Sequence, residues 1–218
     1  MKRNLSFILF IFFTAYSDGQ PIVINIEPVS ADNPVFQIAK NYFRSNPYNT
    51  YFSSFLNHLI NDPTLSDKTI EKRTDTGFFF FKGDYKNHSP FNFKADRTEI
   101  RLAEGEIDLG DSLFTTDTLL FYQLLGYSYG KEGLGAVKKE FSKFDRKYGK
   151  NFYSENSDLK KGAEIVGAVK KYFVLFTPVS PVTIAWAKLD DYQNIFTITI
   201  RIKVIENTAQ LPVYGNRQ

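Results

Sequence analysis

The sequence predicts an α+β fold. It reads as an N-terminal helical hairpin, a mainly antiparallel twisted sheet of about five or six strands with inserted helices, and a C-terminal β-hairpin. Three observations lead there. Asn33-Pro34 and Asn46-Pro47 each place a capping side chain before a proline, ahead of an apolar stripe. Phe78-Phe79-Phe80-Phe81 is a strand-like aromatic run. Phe196, Ile198, Ile200, Ile202 and Val204 alternate with Thr197, Thr199, Arg201 and Lys203, the pattern of a half-buried antiparallel strand.

Before the fold comes a leader. Met1-Lys2-Arg3 is positive, Leu5 to Tyr16 is almost wholly apolar, and Ala15-Tyr16-Ser17 puts small residues where a signal peptidase reads. This layout predicts a secretory signal peptide over residues 1–17, with cleavage after Gln20 as the alternative. The apolar run is too short for a membrane-spanning helix, which needs about 20 residues. The expected product has no transmembrane segment. It is exported to the periplasm or beyond, in a bacterial-type envelope. It consists of a single α+β domain over residues 18–206 and a loose tail over 207–218.

The helices are read first. The first extends from Pro34 to about Arg44, with Val35, Ile38, Ala39, Tyr42 and Phe43 inward. The second extends from Pro47 to about Asn61, with Tyr48, Tyr51, Phe52, Phe55, Leu56, Leu59 and Ile60 inward, and Asp62-Pro63 ends it. The short link between them suggests an antiparallel pair.

Strand character follows over 68–73 and 77–82. Strand side chains alternate between faces, so four consecutive Phe put two rings on each side. Leaving either pair in water forfeits about 1.5–3 kcal/mol per ring, so both faces are expected to be covered here. A long strand is read over 91–103, with a return strand near Ile107-Asp108-Leu109. Thr116 reads as the cap of a short helix to Leu125, and Gly126 to Gly135 as a flexible connector. An amphipathic helix to Tyr148 shows Leu134, Val137, Phe141, Phe144 and Tyr148 on one stripe. A further helix is read from Ser157 to Phe173. The closing hairpin pairs 183–189 with 195–205.

Composition bounds the function. With no cysteine, the chain has no disulfide, thiolate metal site or cysteine nucleophile. The formal charge of +3 falls to +1 once Lys2 and Arg3 are removed, which argues against wholesale nucleic-acid binding. No cofactor is expected. The glycine-rich stretch lacks phosphate-loop spacing, because only Tyr127, Ser128 and Tyr129 separate Gly126 from Gly130-Lys131 and the next residue is Glu132. Ser54, His58 and Asp62 share a helix face, but a straight helix offers no oxyanion hole beside them. His58 and His88 are the only histidines, and no metal site is expected.

Three functions stay open. The leading one is a non-enzymatic exported binding or interaction protein. It would engage an apolar ligand or a partner chain through Phe78, Phe79, Phe80, Phe81 and Trp186, with Lys138, Lys139, Lys143, Arg146 and Lys147 as a basic docking surface. The second is an envelope glycan or cell-wall hydrolase using carboxylates of 104–111, namely Glu104, Glu106, Asp108 and Asp111. The third is a structural subunit of an envelope assembly. The oligomeric state is not legible in the sequence.

Overall fold

The structure is a computed structural model and describes residues 30–48, 50, 52–72, 79–86, 89–107, 117–174 and 180–203. The predicted leader, the tail, Phe78, His88, Asp108 and Asp111 lie outside these residues. The class is α+β. Helices α1 (Pro34–Tyr42) and α2 (Phe52–Asn61) precede strands β1 (Leu65–Lys72), β2 (Phe79–Tyr85), β3 (Arg97–Ile107) and β4 (Asp117–Tyr129). Helix α3 (Gly130–Tyr148) crosses to β5 (Tyr153–Lys161), β6 (Glu164–Phe173), β7 (Val182–Lys188) and β8 (Gln193–Lys203). The eight described strands form one antiparallel sheet in the order β1-β2-β3-β4-β8-β7-β6-β5. Two meanders therefore meet at the central pair β4–β8.

One sheet face carries the core. Phe81, Leu102, Tyr122, Ile200, Val182 and Tyr172 are register partners in one row across six strands. All six are fully buried at 0% exposure. The helices close over them: Phe43 and Phe55 both pack on Tyr122, and Phe144 of α3 packs on Tyr42 and Tyr172.

Several expectations are corrected. Among the described residues the sheet has eight strands, and α1 and α2 do not form the expected hairpin; each is anchored on the sheet instead. Asn33 does cap α1 through the Val35 amide, 2.9 Å away. Asn46 accepts from the Tyr48 amide in the same way, but the helix begins only at Phe52. The long strand starts at Arg97, and Phe91 and Phe93 stack on each other in the preceding loop, with Phe91 also edge-on to Phe196. β3 runs through Ile107, so that residue belongs to the outgoing strand, while Asp108 and Leu109 lie outside the described residues.

The segment after Thr116 is the strand β4, because it is apolar on both faces and hydrogen-bonds to β3 and β8 on either side. Gly126 to Gly135 is not a flexible connector. Gly126 lies within β4, Gly130 has φ +70° where the strand breaks into α3, and Gly133 and Gly135 are helical. The helix read over 157–173 is the hairpin β5–β6, turned by Gly162 at φ +63°. The C-terminal hairpin forms as expected, with Asp190 accepting from the amides of Tyr192 and Gln193 in its turn.

Candidate functional site

The second face of the sheet carries different chemistry and, among the described residues, is free of helices, because α1, α2 and α3 all pack on the first. Its side chains fall into rows set by the strand register. Phe80, Ala103, Phe121 and Arg201 make one row across β2, β3, β4 and β8. The small Ala103 separates two half-buried rings, and the Arg201 guanidinium lies 5.4 Å from the Phe121 ring centre. Arg201 also donates to Thr183 Oγ1 at 2.7 Å and to the Ser180 carbonyl at 3.2 Å. Burial lowers its pKa from the ordinary arginine range.

The next row is polar: Lys82, Arg101, Gln123, Thr199, Thr183 and Lys171. Gln123 donates to Thr199 across the β4–β8 pair at 3.1 Å. The third row pairs Asp84, Glu99 and Leu125. Glu99 is 2% exposed and is held by ion pairs from both Arg97 and Arg101. Arg97 reaches further to Asp84 at 2.9 Å and covers the Tyr127 ring at 4.9 Å. The hydrogen bond to Asp84 raises the Arg97 pKa above its ordinary value, while burial, followed by the Glu99 charge, raises that of Tyr127. Tyr127, Leu125, Ile195 and Ala187 form a small apolar cluster beside this network. Where β1, β2 and β3 meet, a cleft of about 300 Å³ opens among Asp67, Lys68, Thr69, Lys82, Asp84 and Arg97. The face thus joins aromatic and aliphatic surface to fixed guanidinium and ammonium groups.

The sequence-predicted residues separate across the molecule. Phe81 lies in the core, closed to any ligand arriving from solvent. Phe80 lies on the helix-free face. Phe79 belongs to β2, but its side chain falls outside the description, as do those of Glu104 and Glu106. Trp186 sits on the helix-bearing face, four strands from Phe80, a separation of about 19 Å in addition to the change of face. The structure does bring Trp186 together with Lys138, whose ammonium lies 4.4 Å from the ring centre. That lysine caps the indole, which is 8% exposed. Lys139, Arg146 and Lys147 are exposed along α3, with Lys147 over the ring of Tyr148.

Lys139 and Lys143 border a second cleft of about 310 Å³ with Asn92, Phe93, Gly135, Ala136 and Glu140. Sequence reasoning missed Glu140. It is 1% exposed and accepts from the Asn92 amide at 3.2 Å, Asn92 Nδ2 at 3.1 Å and the Tyr42 hydroxyl at 3.5 Å. Burial, then the Glu140 charge, pushes the Tyr42 hydroxyl far above the ordinary tyrosine range, so it remains a donor. These contacts pin the 89–96 loop and α1 to α3. A signal was available: Glu140 falls three residues after Val137 and four before Phe144, on the inward stripe.

Among the described residues, no cluster of three or more His, Asp or Glu side chains is arranged to hold a metal ion. No described helix is long and apolar enough to cross a membrane. The fold and face define an α+β protein with one broad antiparallel sheet, layered by helices on one side and presenting mixed aromatic and cationic chemistry on the other. No protein-family model matches this sequence, and comparison with curated proteins and with solved structures finds no similar protein.

Proposed function

We propose that this chain is an exported, non-enzymatic binding protein of the cell envelope that engages its partner on the helix-free face of the sheet. One observation carries the reading: Phe80 and Phe121 flank Ala103 in a row, with Arg201 at its end and Lys82 and Arg101 in the row beside it. Apolar rings beside fixed cations suit a partner that is itself apolar and acidic.

The test uses 8-anilinonaphthalene-1-sulfonate, an apolar anion whose fluorescence rises on apolar protein surfaces. Titration into the purified chain is expected to give saturable enhancement. Phe121→Ala and Lys82→Ala should each weaken it by about tenfold, and Lys82→Ala, which leaves both guanidinium partners of the buried Glu99 in place, should keep the parent's melting. Native mass spectrometry of the secreted form would report a retained small molecule or partner directly. If no saturable binding occurs, or if both variants bind the dye as the parent does, this face is not the binding surface.

A further inference from the structure

The two outer strands of the sheet are finished differently. In β1, pairing with β2 slips between Ser66 and Thr69, and Asp67 adopts φ 47°. The neighbouring Lys68 ammonium is tied to the carbonyls of Ile60 and Asp62, at 2.6 and 2.7 Å. A bulge and a fixed lysine are devices that blunt a sheet edge. β5 has neither along most of its length. Its register with β6 is unbroken from Tyr153 to Leu159 and slips only at Leu159/Lys160, beside the turn. Every residue from Glu155 to Lys161 is exposed, on both faces of the strand. Large apolar groups are exposed on this hairpin too: Tyr153 at 64%, Leu159 at 38% and Ile165 at 50%. Among the described residues no strand lies beyond β5.

The charge order along β5 selects the occupant. Glu155 and Asp158 come first, and Lys160 and Lys161 come last. Antiparallel pairing of the strand with itself reverses one copy, so the acidic stretch of each meets the basic stretch of the other. The register with β6 puts Tyr153, Glu155, Ser157 and Leu159 on the helix-free face, and continued alternation along β5 itself, past the slip, carries Lys161 to the same side. Around a twofold axis at Ser157, Tyr153 of one copy stands opposite Lys161 of the other. Glu155 stands opposite Leu159, with Lys161 diagonally adjacent and within side-chain reach.

We propose that the β5 edge is an interface for a second copy of this chain, through antiparallel β5–β5 pairing that sets Glu155 of each copy against Lys161 of the other. The axis is perpendicular to the sheet, so the helices of both copies lie on one side and the two helix-free faces join into one surface. This inference stands on the strand edge and its charge order, independent of any ligand for the face.

Sedimentation equilibrium of the purified chain tests it. A reversible monomer–dimer equilibrium is expected. Glu155→Lys and Lys161→Glu should each weaken it by about tenfold or more, and the double reversal should restore it. Both side chains are exposed, so the variants should keep the parent melting curve at dilutions where the parent is a monomer. A single-chain mass at every concentration up to about 1 mM overturns the proposal. A dimer indifferent to both reversals, or a double variant that fails to recover, does so equally.

Discussion

At the end of α2 a single carboxylate ties helix to strand. Asp62 accepts from the Thr64 amide at 2.8 Å and from the Thr64 hydroxyl at 2.6 Å. Partial burial works against its charge, but those hydrogen bonds, with Arg44 and His58 nearby, hold its pKa below the usual value near 3.8. A carboxylate with a depressed folded pKa adds stability that is complete above its unfolded pKa. That stability drains away as the pH falls through the lowered folded value. Denaturant midpoints followed from about pH 6 to about pH 2 should therefore fall more steeply for the parent than for Asp62→Asn, with the difference concentrated below about pH 4. Asp62-Pro63 was readable as a helix stop because its chemistry is local. Glu140 was not, because a glutamate on an inward stripe makes sense only once Asn92, 48 positions away in the chain, is seen to bring its donors.

Helix α3 shows how two glycines of one element differ. A methyl group on Gly133 would meet the Ser128 backbone carbon at 2.8 Å, whereas one on Gly135 would meet nothing within 4 Å. Gly133 therefore marks a close approach of helix to strand end. Asn194, 3% exposed, seals the same junction by donating to the Ser128 and Gly130 carbonyls. Gly133→Ala is expected to cost about 1–3 kcal/mol through forced displacement. Gly135→Ala should gain about 0.5–1 kcal/mol, because alanine loses less backbone freedom in a helix. Thermal melting of the two variants should move in opposite directions. The elements misread from sequence share a cause. β4 is an apolar run on both faces, which periodicity alone does not separate from a buried helix. In β6, Ile165, Val166, Val169, Tyr172 and Phe173 coincide with a helical stripe, although the chain runs as a strand opposite β5 and β7.

At the scale of the whole molecule, adjacent phenylalanines have opposite duties. Phe81 is fully buried among helices and sheet, and Phe80 lies half-buried on the other face. Phe81→Ala should cost about 3–5 kcal/mol and Phe80→Ala about 1 kcal/mol, read as midpoint shifts in urea. Equal losses would make the second face a core like the first and would remove it as a binding surface. The sequence by itself determined the α+β class, the cap of α1, the closing hairpin and the alternation of the Phe run, because turns, caps and side-chain periodicity act within a few residues. The tertiary structure alone decided that the eight described strands share one sheet, which of its faces the described helices cover, and that Lys138 lies on Trp186. Those outcomes depend on hydrogen bonds and packing between segments far apart in the chain, and no local pattern carries them.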